Sequence, residues 1–251
     1  VSADSAGETP GGSSATPDMQ ALAAQLAALG VVDQDNVAAE SFARILVLGP
    51  AKAGKTTCVA KTAPKPLIIN CDGKGATIGA ANQGAQFLTI DATSRATWKR
   101  AQEAAAKLVA AGAVQTVIVD TLSLLADNIL DEIKALGFEG YDIWNELEAQ
   151  LGQGIKRLGQ LDAHLFVNAH MMPAMDREAG ILPAIPGRSK WRIPALVTDW
   201  ILLDVEPGRK PERQWLLGPQ KAWTSSGRNI KRTCAVEATV PALFAELGIA
   251  L

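Results

Sequence analysis

The chain has 251 residues, a formal net charge of −2 and 48% hydrophobic residues, enough apolar sequence for one good core plus appendages. That balance excludes the global basic field of a dedicated duplex-DNA protein, so any nucleic-acid site has to be local. Three cysteines without C-x-x-C spacing and only two histidines, His164 and His170, point away from a disulfide framework or structural zinc and towards a reducing, cytoplasmic setting.

Residues 1–17 are rich in Gly, Ser, Thr and Pro and read as a flexible tail. Residues 18–40 read as an N-terminal helix and linker: Asp18 caps a helix over 19–29, and Gly30 stops it. Leu22, Leu26 and Leu29 share one face, suited to docking on the chain's own core or on a neighbouring subunit. From 41 to 251 the pattern is that of one α/β domain. No apolar run reaches membrane-spanning length and the first basic residue is Arg44, so neither a membrane partner nor a signal peptide is expected.

The richest stretch is Ile45-Leu46-Val47-Leu48-Gly49-Pro50-Ala51-Lys52-Ala53-Gly54-Lys55-Thr56-Thr57. Four β-favouring residues lead into G-x-x-x-x-G-K-T, and a helix-compatible segment follows, the strand–loop–helix setting of a P-loop. Phosphates need backbone N–H donors at close range, and glycines at 49 and 54 keep side chains out of the way. Lys55 then supplies a mobile charge for the terminal phosphates, and the Thr56 hydroxyl suits Mg²⁺. The nucleotide-binding set is therefore Gly49 through Thr57, with Lys52 read as solvated rather than as a second phosphate ligand.

Residues 67–70 form a second buried strand, ending in Cys71-Asp72-Gly73, and 86–90 a third. Asp91 or Ser94 caps a helix running towards Ala111. Thr116-Val117-Ile118-Val119 is the unbroken apolar run of a central parallel strand, delivering Asp120 at its carboxyl end, where ligands collect in open α/β sheets. Helices are expected over 122–135 and 144–161, and a strand over 164–168. Residues 171–193 read as a long loop. Strands at 198–203 and 214–217 and a helix near 241–247 complete the chain. The alternation implies a mostly parallel central sheet with helices on both faces, and Asp120 is expected to hold the water shell of Mg²⁺.

The succession ILVLGPAKAGKTT, APKPLIINCDGKG, TVIVDTLSLL and LFVNAH, then a Gly/basic loop, resembles the RecA superfamily of P-loop ATPases. It is most similar to the minimal phage-encoded RecA-core ATPases grouped with Sak-type single-strand annealing recombinases. The resemblance spans 41 to about 228 and implies ATP and Mg²⁺ as cofactors. It also implies a homo-oligomer, as ring or filament, and a strand ending at Asn168 set between the P-loop strand and the Asp120 strand. On that basis Lys55, Asp72, Asp120 and His170 are the catalytic candidates, and Asn168 and His170 the sensors of the terminal phosphate. Asp72, where such ATPases more often carry glutamate, would orient the attacking water; it also reads as a plain turn residue, and His170 as a loop histidine. Lys221 and Arg228 match the place from which a neighbouring subunit's cations complete the site; a solvated surface pair is the other reading.

The same resemblance carries the loop after the sensor strand into a DNA channel. Arg188, Lys190, Trp191 and Arg192 therefore form the candidate contact with single-stranded DNA, cations tracking the backbone while a base stacks on the ring. An ordinary solvated face with Trp191 packed inwards is the alternative. At this level the chain reads as a DNA-stimulated ATPase of recombination or annealing. A nucleotide-switched assembly protein without DNA affinity is the second reading, and a P-loop small-molecule kinase the third.

Overall fold

The computed structural model describes residues 42–73, 75–173, 181–206, 212–218, 230 and 234–249. The expected tail and N-terminal helix, and both Lys221 and Arg228, lie outside the described residues.

The described strands are β1 (Arg44–Gly49), β2 (Pro66–Asn70), β3 (Leu88–Asp91), β4 (Thr116–Asp120), β5 (His164–Pro173), β6 (Ile181–Pro183), β7 (Asp199–Glu206), β8 (Glu212–Leu217) and β9 (Cys234–Glu237). They lie in the order β3-β2-β4-β5-β1-β7-β8-β9, with β6 paired to the far end of β5. From β3 to β7 every neighbouring pair is parallel. β7–β8, β8–β9 and β5–β6 are antiparallel. β5 sits between β1 and β4, as expected of the strand carrying Asn168.

The helices are α1 (Lys55–Thr62), α2 (Gly75–Asn82), α3 (Arg95–Ala110), α4 (Leu122–Ala135), α5 (Gly140–Leu158), α6 (Ser189–Arg192) and α7 (Val240–Leu247). Because a strand's side chains alternate between faces, the central strands feed two apolar layers. Leu46, Leu48, Leu67, Ile69, Val117, Val119, Leu165 and Val167 pack with α3, α4 and α5. Ile45, Val47, Ile68, Ile118, Phe166, Ile201 and Trp215 pack with α1 and α7. Both faces being covered explains why the central strands read as unbroken apolar runs.

Local signals set several boundaries. Ser94 accepts from the Thr97 amide while the Thr97 hydroxyl accepts from the Ser94 amide, a capping box that starts α3. Thr121 and Thr239 cap α4 and α7 in the same way through one hydroxyl each.

Three expectations need correction. The strand predicted to stop at Asn168 runs on to Pro173, because Met171–Pro173 pair with Ile181–Pro183. Residues 171–193 are therefore not a plain loop: they contain β6 and α6, with 174–180 outside the described residues. Helix α5 spans Gly140–Leu158 rather than 144–161, one turn earlier at each end. Helix α2 and strand β9 had no local signature: α2 is an alanine- and glycine-bearing segment, and β9 exists only by pairing with β8.

Candidate nucleotide-binding site

Parallel strands deliver their loops to one edge of the sheet, and the predicted chemistry gathers there. The register sets Val47 opposite Asn168 and Gly49 opposite His170 on β1 and β5, and Asn70 opposite Asp120 on β2 and β4. Lys52, Gly54, Lys55, Thr56, Thr57, Asp72, Asp120, His170 and Arg213 all line one cleft of about 460 Å³, a volume suited to a small ligand.

The loop itself combines exposed and buried residues. Pro50, Ala51 and Lys52 are exposed, Ala53, Lys55 and Thr56 are buried, and Thr57 is half-buried. The two glycines are needed for different reasons. A Cβ on Gly49 would sit 3.2 Å from the Leu203 carbonyl of the adjacent strand, a close approach within the sheet. Gly54 has φ +95°, the left-handed region that favours glycine, and starts α1 without any side-chain cap. The first amides of α1 therefore depend on something other than a side chain to accept from them. The Lys55 ammonium donates to the carbonyls of Gly49 (2.9 Å) and Pro50 (2.8 Å). Burial lowers its pKa to about 8, with Asp120 pulling the other way.

Asp120 is 1% exposed. Burial raises its pKa, opposed by the neighbouring Thr56 hydroxyl, by the Asn168 amide and by the charge of Lys55. The Asn168 amide nitrogen donates to Asp120 Oδ1 (3.2 Å) and to Thr56 Oγ1 (3.4 Å). Asp120 Oδ2 is buried and has no hydrogen-bond partner. An unpartnered carboxylate oxygen beside a threonine hydroxyl fits a hard divalent cation held by one acid, one hydroxyl and a ligand's phosphates. Among the described residues no group of three or more His, Cys, Asp or Glu is placed to hold a metal ion.

His170 is half-buried; its amide donates to the Ser123 hydroxyl (2.9 Å), and Nδ1 is buried without a partner. Burial, and then the charge of Lys55, lower its pKa, while Asp72 and Asp127 raise it. The ring is neutral at pH 7 and retains one N–H to donate. Asp72 is exposed at the rim, two residues beyond the end of β2.

The residues nominated for DNA lie elsewhere, on and beside α6. Trp191 is 54% exposed rather than packed inwards. Arg188 is exposed with its guanidinium 5.2 Å from the centre of the Tyr141 ring, and Arg192 forms an ion pair with Glu148. Lys190 is half-buried.

Four residues that line the cleft, Gly79, Gln83, Thr121 and Arg213, escaped sequence reasoning as site residues, and Arg213 is the charged one among them. Arg213 on β8 donates from Nε to the Ala53 carbonyl (2.8 Å), 160 residues away. Its signal was indirect: in a hairpin after β7, the first residues of β8 return at the carboxyl edge, and Arg213 shares a face with buried Trp215.

A family model described as an AAA domain matches residues 41–225. No curated protein matches the chain significantly. Among the described residues, no helix is long and apolar enough to cross a membrane. The match covers the loop, Asp72, Asp120 and strand β5 in one span, and the chain belongs to the AAA-domain family of P-loop nucleoside triphosphatases.

Proposed function

We propose that this chain is a Mg²⁺-dependent ATPase that works as a homo-oligomer on single-stranded DNA, in strand annealing or exchange of the RecA type. The observation that carries the ATPase part is the buried, unpartnered Asp120 Oδ2 in the cleft that also holds Lys55 and Thr56. In this reading Lys55 holds the terminal phosphates, and Thr56 and Asp120 hold Mg²⁺, which when bound neutralises charge on the transferring phosphoryl group. Asp72 orients the attacking water, while Asn168 and neutral His170 donate hydrogen bonds towards the terminal phosphate. Lys221 and Arg228 serve the neighbouring subunit's site.

The DNA part rests on Trp191, more than half exposed with Arg188 and Lys190 beside it, a ring on which a base stacks while cations meet phosphates. Steady-state ATP hydrolysis with and without a single-stranded oligonucleotide tests both parts. The expected result is DNA-stimulated turnover that Lys55→Ala abolishes and whose stimulation Trp191→Ala removes. Equal rates with and without DNA would defeat the DNA part, and turnover surviving Lys55→Ala would defeat the whole.

A second reading has its own support. Arg192 is already paired with Glu148, and the Arg188 guanidinium lies over Tyr141, so two of the three nominated cations have partners on the protein. That favours a nucleotide-switched assembly protein whose α5–α6 surface meets another protein. ATP-dependent oligomerisation with no oligonucleotide binding at low salt selects it.

A further inference from the structure

Arg213 is the second residue of β8 and half-buried. Its Nε donates to the Ala53 carbonyl at 2.8 Å. A Cβ on Gly54 would lie 2.9 Å from the same Nε and 3.5 Å from Nη2, so the guanidinium rests directly against the second glycine of the loop. One of its five N–H donors is spent on Ala53; the others belong to a group that lines the cleft beside Thr57 and Lys52. Arg213 reaches the loop from β8, on the opposite side of β1 from β5 and β4, the strands that carry His170 and Asp120. The charge of Lys55 is felt by Asp120 and His170. That of Arg213 is felt by Cys58, the residue after Thr57 on α1, where it opposes the upward push of burial on the thiol.

We propose that Arg213 is a nucleotide ligand supplied by the same subunit, clamping the loop through the Ala53 carbonyl and turning its remaining N–H groups to the phosphates nearest the nucleoside. Those phosphates are common to ADP and ATP, so the arginine acts on binding of both. A planar guanidinium suits the task, since it bridges a carbonyl and a phosphate in fixed geometry where an ammonium offers one point. The proposal rests on the nucleotide-binding reading above.

The test is calorimetric titration of the full-length chain with ADP and, separately, a non-hydrolysable ATP analogue, with thermal melts to confirm folding. Arg213→Ala is expected to weaken both ligands by roughly 10- to 100-fold, the worth of one charged hydrogen bond. Arg213→Lys is expected to recover only part of that loss. ADP affinity of Arg213→Ala within twofold of wild type overturns the proposal, as does a loss confined to the ATP analogue, which would put the arginine at the terminal phosphate. Should Arg213→Ala not fold, Arg213→Lys carries the decision, and wild-type ADP affinity in it overturns the clamp. A wild-type chain that binds neither nucleotide would defeat the underlying reading as well, a result distinct from all of these.

Discussion

The amide of Asn168 on β5 donates to Asp120 Oδ1 on the adjacent strand β4 and leaves Oδ2 of the same carboxylate without a partner. One oxygen is thereby fixed and the other left without a partner, the position at which the proposed function puts the cation. Groups that orient a metal-binding carboxylate are typically worth about 10- to 100-fold in metal affinity. Asn168→Leu should therefore raise the Mg²⁺ concentration for half-maximal ATP hydrolysis by roughly tenfold or more. The Asn168 hydrogen bond opposes the burial that raises the Asp120 pKa. Its loss moves that pKa further up, and the acidic limb of the pH–rate profile with it. An unchanged Mg²⁺ requirement in a folded variant would show that Asn168 does not aim the acid.

Lys55 carries a pH signature. Its pKa is about 8 in the folded chain against an ordinary 10.5, so between these values the unfolded chain holds more protons than the folded one. Stability from this group must rise with pH across that window, and Lys55→Met should lose the rise. Polyphosphate beside the ammonium favours its charged form, so ADP binding above pH 8 should take up a proton. Titrations in buffers of different ionisation enthalpy read that uptake directly. Buffer-independent heats at pH 8.5 would contradict it.

Gly54→Ala tests the loop geometry. An alanine there would have to hold φ near +95°, and its Cβ would press on the Arg213 guanidinium. The left-handed backbone alone costs about 1–2 kcal/mol. The loop should rearrange, with ADP affinity falling at least tenfold while the far-UV circular dichroism stays that of the wild type. Retained affinity would mean that the loop tolerates another conformation.

Gly154, in the C-terminal third of α5, inverts the usual helix rule. Alanine normally favours a helix interior over glycine by about 1 kcal/mol. Here the Cβ would lie 2.4–2.6 Å from the Trp98 indole, which is itself 1% exposed and donates from Nε1 to the Gln150 carbonyl. Overpacking of this kind costs typically 1–3 kcal/mol. Gly154→Ala should therefore lower the melting temperature, and the Trp98→Phe background should soften the loss. A stabilised Gly154→Ala would show that the two helices separate freely.

Much of this protein was legible in one dimension because its information is local. The loop from Gly49 to Thr57 is contiguous, its glycines, lysine and threonine at spacings that suit one chemical task. The apolar runs at β1, β2 and β4 announced strands covered on both faces, and their ends marked Asp72 and Asp120. Other features arise only from pairing across distance. Met171–Pro173 looked like loop because their ladder partners are Ile181–Pro183, and β9 is held by β8 rather than by a pattern of its own.

Tertiary structure alone decided which cations and amides stand where. Arg213 is one of several basic residues late in the chain, and only the antiparallel return of β8 brings it onto Ala53. Asn168 reaches Asp120 because β5 inserts between β1 and β4, an order that the family resemblance implied but no local signal encodes, and the hydrogen bond itself appears only in the folded chain. The reason is physical: a motif states what a short backbone can present, whereas burial, orphaned oxygens and shifted pKa values exist only once separate strands exclude water together.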